Sequence, residues 1–194
     1  MKNTFTFTGP LQNGFHQPLK SYAKPYAAID LRDLFIDELK DINWAEKAFS
    51  TAIQRIIENT TSEELSAALI GHFQMTIEHL RRLDDVFFFI GEKAEVKKSE
   101  AMAGLIKEAD EITAETQIGL VRDAGIISAM QKIGHYEIAS YGTLYSFAKI
   151  LGEDEVAIML KETLNEEKKV DAILTKMAET YINIEAIDSN PAAK

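Results

Sequence analysis

The sequence predicts an all-α protein, a four-helix bundle of two antiparallel hairpins joined by a long crossover that contains an extra helix. The 10 glycines and 4 prolines lie mostly at the edges of long segments rich in Ala, Leu, Glu and Lys, which are strong helix formers. Within these segments apolar residues recur at steps of three and four, the period of an amphipathic helix. The long connection between the hairpins makes the second and third helices of the bundle parallel.

The first hairpin is predicted over residues 30–90. Its first helix begins at an N-cap, Asp30, and continues to about residue 58. The apolar stripe of this helix is formed by Phe35, Ile42, Phe49, Ile53 and Ile56. Thr61 and Glu64 match a capping box, which predicts the start of the second helix, and Gly91 follows the end of that helix.

The connection and the second hairpin follow from residue 92 onwards. A Lys-rich link leads to a shorter helix that is capped by Ser99 and ends near residue 117. The third helix of the bundle is predicted to start after Asp123. Gly152 and Asp154 predict the turn between the third and fourth helices, because glycine is the preferred residue just past a helix end.

The two ends of the chain differ from its body. Residues 1–28 hold three of the four prolines and show no helical period, so we expect an irregular N-terminal arm. Residues 29–181 are expected to form the bundle, with ferritin-like connectivity. Residues 182–194 are expected to form a flexible C-terminal tail.

Composition and charge exclude several classes of function. The 21 Lys and Arg against 31 Asp and Glu give a net charge of −10, which argues against nucleic acid or an anionic membrane as a partner. Cysteine is absent, which excludes disulfides, thiolate metal sites and iron–sulfur clusters. No apolar run is long enough for a secretory signal or a membrane span, so a cytoplasmic protein is expected.

Several polar side chains occupy positions where the buried stripes should be apolar. A buried charge is costly unless it is paired, protonated or bound to metal, so these positions are candidates for function. The candidates on the last three helices of the bundle are His72, Thr76, His79, Glu137, Glu167 and Asp171.

The hairpin geometry predicts which of these residues meet. Glu137 lies 152 − 137 = 15 residues before Gly152, and Glu167 lies 167 − 152 = 15 residues after it. At equal rise per residue the two carboxylates fall at the same height in the bundle. The same counting about the first turn places Glu46 near His79, whereas Glu38 lies two helical turns away.

One carboxylate or imidazole from each helix is the ligand set that a pair of hard metal ions requires. The six metal-ligand candidates are therefore Glu46, His72, His79, Glu137, Glu167 and Asp171. The alternative stays open at this point. Each buried glutamate could pair with Lys or His, and each histidine could be a hydrogen-bonded residue at the edge of the core.

Five ordered segments resemble a known family. The sequence is similar to the YciE/YciF-like (DUF892) family of ferritin-like bacterial stress proteins over about residues 30–180. The segments that carry the resemblance are LRDLFIDELKD at 31–41, HLRRLDDVF at 79–87, EAMAGLI at 100–106, HYEIASYGTL at 135–144 and ETLNEEK at 162–168.

The resemblance implies a ferritin-like bundle, usually dimeric, with a di-iron or di-manganese centre. Matched position by position, it supports Glu46, His79, Glu137 and Glu167 as ligands. Three departures leave the ligand set incomplete. Thr76, with Met75 beside it, replaces a glutamate three residues before the second-helix histidine, and Gly134 replaces one a turn before the third-helix glutamate. Val170 replaces a fourth-helix histidine, for which Asp171 is the substitute.

Two functions are consistent with these observations. The first is a metal-dependent protein in which two Fe or Mn ions react with oxygen or peroxide in a stress response. The alternative is a non-enzymatic stress-associated dimer or scaffold with a vestigial metal site, which the missing carboxylates favour. A third hypothesis, iron storage or DNA protection in a ferritin-type cage, is less favoured, because it needs a 12- or 24-fold assembly whereas the resemblance implies a dimer. We expect a homodimer, and the sequence does not identify a substrate or establish that the protein is an enzyme.

Overall fold

The computed structural model describes residues 27–188, and every regular element in that range is helical. The five long helices are α1 (Leu31–Ile57), α2 (Glu63–Phe89), α3 (Glu100–Glu115), α4 (Leu120–Leu151) and α5 (Asp154–Met177). The predicted all-α bundle of two hairpins and a crossover helix is confirmed. Most of the predicted arm over residues 1–28 lies outside the described residues, so that prediction stands untested.

The four long helices α1, α2, α4 and α5 form a closed ring. Helix α1 packs against α2 and α4, α5 packs against the same two helices, and α3 lies on α1 and α4. At one end, Arg32 donates to the Ile90 carbonyl and to Glu153, which follow α2 and α4. At the other end, Asp123 in the first turn of α4 accepts from Thr61 just before α2. Helices α2 and α4 therefore start and end together, so they are parallel as predicted.

Local capping accounts for most of the helix starts. The Asp30 side chain accepts from the Asp33 amide at 2.9 Å, and the Ser99 hydroxyl accepts from the Met102 amide at 3.2 Å. These two caps were predicted. Gly152 also ends α4 as predicted, with φ of 78°, in the left-handed region that glycine adopts without strain.

The start of α2 differs from the prediction. Its N-cap is Ser62, whose hydroxyl accepts from the Leu65 amide, whereas Thr61 was expected to cap it. The reason is a contact between distant parts of the chain. The buried carboxylate of Asp123 accepts from the amides of Thr61 and Ser62, each at 2.8 Å, and holds Thr61 outside the helix.

The start of α4 also differs from the prediction, by a few residues. Helix α4 begins at Leu120, so Asp123 lies inside its first turn rather than before the helix. The N-cap of α5 is Glu153, and Asp154 is its first helical residue.

The helical part of the chain continues beyond the predicted end of the bundle. A π-helical turn (Ala178–Ile182) follows α5 and leads into a short helix, α6 (Asn183–Asp188). Ile182 is fully buried, so the boundary predicted at residue 181 falls inside packed helical structure. Across residues 27–188, none of the helices combines the length and apolar character needed to cross a membrane.

Candidate metal centre

Five polar side chains from four helices meet in the interior of the bundle. Helix α1 contributes Glu46, α2 contributes His72 and His79, α4 contributes Glu137, and α5 contributes Glu167. All five are between 0% and 1% exposed. We call this group the central cluster. Five of the six metal-ligand candidates belong to it.

Three members of the central cluster lie close enough to hold one metal ion. Ligand atoms of His72, Glu137 and Glu167 all lie within 4.8 Å of one another. His72 Nε2 is 3.2 Å from Glu167 Oε1. Glu137 and Glu167 meet at one height, as the equal spacing about the turn predicted. Imidazole nitrogen with carboxylate oxygen is a donor set that suits several divalent metals, zinc, iron and manganese among them.

Glu167 lies between the two histidines. Its Oε1 atom, which contacts His72, is also 3.5 Å from His79 Nδ1. His79 Nδ1 is in turn 3.4 Å from Glu46 Oε1, and that oxygen accepts a hydrogen bond from the Tyr141 hydroxyl at 2.6 Å. One Glu167 oxygen therefore contacts both imidazoles.

Most of the cluster's polar atoms lack hydrogen bonds. Buried polar groups in folded proteins almost always have a partner, and an exception calls for an explanation such as a bound ion. In the central cluster the atoms without a hydrogen-bond partner are Glu46 Oε2, His72 Nδ1, His79 Nδ1, both Glu137 oxygens and Glu167 Oε2. Few atoms elsewhere in residues 27–188 share this state, so the unsatisfied acceptors concentrate at one point.

Burial and mutual repulsion shift the pKa values of the cluster. Burial, followed by the charges of Glu167 and Glu46, raises the pKa of Glu137 well above its usual value. For His79, burial favours the neutral ring, but the surrounding carboxylates outweigh it and raise the pKa. Burial and Glu46 together raise the pKa of Tyr141 well above its usual value. The metal-free cluster therefore retains protons, which a cation would displace.

Two residues that the sequence analysis missed lie just outside the central cluster. Glu166 Oε2 is 3.1 Å from His79 Nε2, and Arg82 Nη1 donates to the same oxygen at 2.7 Å. Glu166 belongs to a run of charged residues that looks like a solvated helix face. The sequence feature that could have revealed Glu166 is its partner Arg82. Arg82 follows His79 by three residues and so lies on nearly the same face of α2.

Asp171 lies outside the central cluster. Its carboxylate accepts from Gln131 Nε2 at 3.1 Å and lies 3.2 Å from His135 Nε2. A residue four positions after Glu167 is rotated by about 40° around the helix and raised by about 6 Å, which turns it toward the outer surface of α4. Glu38 is half-buried and lies near Asp41 and Lys97, so Glu46 is the α1 glutamate that faces the centre.

The two positions that lack expected carboxylates have different surroundings. The Thr76 hydroxyl donates to the His72 carbonyl in its own helix, at 3.1 Å, so it offers its donor to the backbone. At Gly134, an added Cβ atom would lie 3.8 Å from Glu167 Oε2, an ordinary van der Waals distance. Gly134 therefore lies directly beside the centre.

Comparison with known proteins agrees with this architecture. A family profile described as "Domain of unknown function (DUF892)" matches residues 30–187. The chain belongs to this family. Protein YciF of Escherichia coli K12 is 41% identical to this DUF892 chain over 160 residues, which span 80% of the chain and 95% of YciF.

Solved structures support the same assignment. The crystal structure of the E. coli stress protein YciF matches with a TM-score of 0.78 at 41% identity, covering 80% of this chain and 99% of that one. YcfI of Rhodopseudomonas palustris, a candidate structural protein by its description, matches with a TM-score of 0.74 at 40% identity. The match covers 75% of this chain and 93% of YcfI. A Xanthomonas campestris protein at 18% identity shares the fold, with a TM-score of 0.63. The match covers 80% of this chain and 95% of that one.

Proposed function

We propose that this DUF892 protein binds iron or manganese at the central cluster and uses the metal in oxygen- or peroxide-related stress chemistry. The observation that carries the proposal is the set of buried polar atoms without hydrogen bonds on Glu46, His72, His79, Glu137 and Glu167. Three glutamates buried at one point are unfavourable unless protons or cations compensate them, and two imidazoles beside them complete a metal-ligand set.

The side chains divide into two overlapping ligand groups. His72, Glu137 and Glu167 would hold one ion, since their donor atoms already lie within 4.8 Å of one another. Glu46 and His79 would hold a second ion and share Glu167 with the first. The Tyr141 hydroxyl fixes one oxygen of Glu46 and leaves the other available.

The protein also controls what reaches the centre. Bound iron or manganese would supply electron transfer with dioxygen or peroxide. Because the cluster residues are almost completely buried, an organic substrate cannot contact them while the bundle stays closed. Small oxidants are therefore the substrate class that this interior admits. The stress assignment rests on the E. coli relative, which is described as a stress protein.

Metal content tests the proposal directly. Protein purified without chelator or affinity metal is analysed by elemental mass spectrometry, before and after anaerobic loading with Fe(II) or Mn(II). We expect about two ions per chain, as in other carboxylate-bridged bundles. Glu137→Ala and Glu167→Ala should each remove metal, because each deletes a ligand of the same group.

Asp171→Ala is the matched control. It deletes an acidic residue from the same helix, α5, but one whose carboxylate contacts Gln131 and His135 instead of the cluster. Its metal content should equal that of the wild type. Equal metal content in wild type and Glu167→Ala would contradict the proposal.

A second candidate function is a structural dimer in which the cluster is vestigial. Thr76 and Gly134 favour it, because both positions lack a carboxylate and the Thr76 hydroxyl is bonded to the backbone. The description of YcfI as a candidate structural protein points the same way. Wild-type protein that retains no metal under either loading condition would support this alternative.

A further inference from the structure

We propose that Glu166, held in place by Arg82, is the positioning residue that fixes the His79 imidazole with its Nδ1 atom facing the metal centre. The inference rests on the proposed function, because it assigns a role toward a bound metal. It concerns two residues outside the ligand set. It predicts that the ion beside His79 depends on Glu166 and that the ion beside His72 does not.

The geometry of His79 is the starting point. The ring is fully buried and lies between carboxylates on opposite sides. On the inner side, Nδ1 is 3.4 Å from Glu46 and 3.5 Å from Glu167. On the outer side, Nε2 is 3.1 Å from Glu166 Oε2. The Tyr141 ring packs edge-on against the imidazole, with centroids 6.2 Å apart, which limits rotation of the ring.

Carboxylates flank both ring nitrogens, so the geometry fixes one tautomer only when a cation occupies the cluster. The cation would take the place of a proton at Nδ1, and the remaining proton would lie on Nε2, because an ionised Glu166 carboxylate only accepts hydrogen bonds. The proton on Nε2 leaves the Nδ1 lone pair directed at the cluster, where a cation would accept it. Metal-binding histidines commonly donate their second N–H to a carboxylate in this way, which fixes the tautomer and the ring orientation.

Arg82 holds the carboxylate at the required point. Its Nη1 atom donates to Glu166 Oε2 at 2.7 Å and to the Thr163 hydroxyl at 2.6 Å. Its Nη2 atom donates to Glu166 Oε1 at 3.5 Å. The guanidinium thus spans both oxygens of one carboxylate across the seam between α2 and α5. Such a two-point contact restricts orientation more than a single bond does.

His72 lacks an equivalent support. Its Nε2 atom contacts Glu167, and its Nδ1 atom is buried without a hydrogen bond. Phe49 packs against the His72 ring with centroids 5.2 Å apart, but only His79 contacts a carboxylate outside the cluster. Loss of the Glu166 carboxylate should affect the ion beside His79 and leave the ion beside His72 in place.

The test is anaerobic titration of the metal-free protein with Mn(II), in which calorimetry measures the affinity of each ion. Glu166→Ala should weaken binding of one of the two ions by about 10- to 100-fold, the usual effect of losing a carboxylate behind a metal-binding histidine. Glu166→Gln keeps an acceptor oxygen at similar reach, so it should restore part of that affinity.

Glu162→Gln is the matched control. Glu162 lies on the same helix and pairs with Arg82 at 3.5 Å, but it has no contact with His79. Its Mn(II) affinities should equal those of the wild type. An equal loss in Glu162→Gln would overturn the inference, because it would attribute the effect to charge at the seam and not to the imidazole.

A spectroscopic measurement reports the imidazole itself. In Zn(II)-loaded protein, nitrogen-15 NMR of His79 should show a proton on Nε2 and none on Nδ1, and Glu166→Ala should broaden or remove the Nε2–H signal. Unchanged Mn(II) affinities in Glu166→Ala, or a proton on Nδ1 in the loaded wild type, would overturn the inference while metal binding stands. Wild-type protein that binds no Mn(II) would overturn both proposals.

Discussion

Glu137 is the most isolated of the buried carboxyl groups. Neither of its oxygens has a hydrogen-bond partner, and the charges that raise its pKa are those of two further glutamates, Glu167 and Glu46. In metal-free protein the favourable state of this side chain is the protonated one, since burial and like charge both raise its pKa. Ionisation of Glu137 therefore costs the metal-free fold free energy, and the side chain becomes available as a ligand once a cation replaces the proton.

This property predicts the direction of the pH dependence. A raised native pKa stabilises the fold fully below the unfolded pKa, near 4.5 for Glu137, and the contribution is lost as the pH rises through the native pKa. His79 acts in the same direction from its ordinary value of 6.5. Metal-free protein should lose stability as the pH rises from about 5 to 8, by up to about 1.4 kcal/mol per pH unit for each proton retained.

Urea unfolding in the presence of chelator, at several pH values, measures this dependence. Glu137→Gln should flatten the decline, since the substituted side chain does not ionise. Glu155→Gln, at an exposed position on α5, should follow the wild type. A metal-free stability that rises over this interval would refute the assignment of raised pKa values.

At the residue scale, the sequence predicted which side chains lie at the same height in the bundle, but not the direction in which each one points. Counting from Gly152 placed Glu137 and Glu167 at one height, because helical rise is nearly constant. It could not separate Asp171 from Glu167, since a difference of about 40° around the axis moves a side chain from the interior to the margin. Glu166 was missed because its partner Arg82 lies 84 residues away, and residue spacing within one helix does not report such pairs.

At the scale of elements, the junction between α2 and α4 depends on one buried carboxylate. Asp123 accepts from the Thr61 and Ser62 amides and is itself fully buried. The Ser62 amide is one of the unsatisfied donors at the start of α2, the Thr61 amide lies just before it, and a negative charge is favourable at this end of a helix. The carboxylate thus caps α2 from a different helix and fixes the relative height of the two hairpins.

Asp123→Ala should destabilise the protein by about 2 to 3 kcal/mol, because two buried amides lose a charged acceptor. Ser62→Ala removes the local cap of the same helix and should cost about 1 kcal/mol. Urea unfolding of both variants gives the comparison. A smaller loss for Asp123→Ala than for Ser62→Ala would show that the local cap dominates.

The elements themselves were largely predictable, for a physical reason. Caps such as Asp30 and Ser99 and the glycine at the end of α4 act through neighbours within a few residues, so the sequence contains the whole interaction. The start of α2 was misplaced by one residue because Asp123, 62 positions away, binds the Thr61 amide. The helical structure over residues 182–188 was missed because the burial of Ile182 is a tertiary contact.

At the scale of the whole molecule, α2 exposes large apolar side chains among charged residues. Ile70, Ile77 and Phe88 are 44%, 45% and 78% exposed, and their steps of seven and eleven residues place them along one line of the helix. Exposed apolar groups in a line are typical of a surface that a second copy covers. Sedimentation equilibrium should therefore give a mass of about twice 21.7 kDa, as expected for a homodimer.

A variant pair tests whether this face is responsible. Ile77→Lys should shift the mass toward the monomer, because a charge in the covered face must be desolvated. Ile173→Lys changes a residue of similar exposure on α5, 51%, and should leave the mass unchanged. An assembly of 12 or 24 chains would exclude the dimer and restore the storage hypothesis.

The central cluster joins the two hairpins at mid-height. One hairpin supplies Glu46, His72 and His79, and the other supplies Glu137 and Glu167; the contact between His72 and Glu167 closes a separation of 95 residues. The chain contains no cysteine, so no disulfide can cross-link its two hairpins. An ion bound there would act as a reversible cross-link, as a disulfide does in secreted proteins. The lifetime of the folded molecule, and not only its reactivity, would then follow the supply of metal.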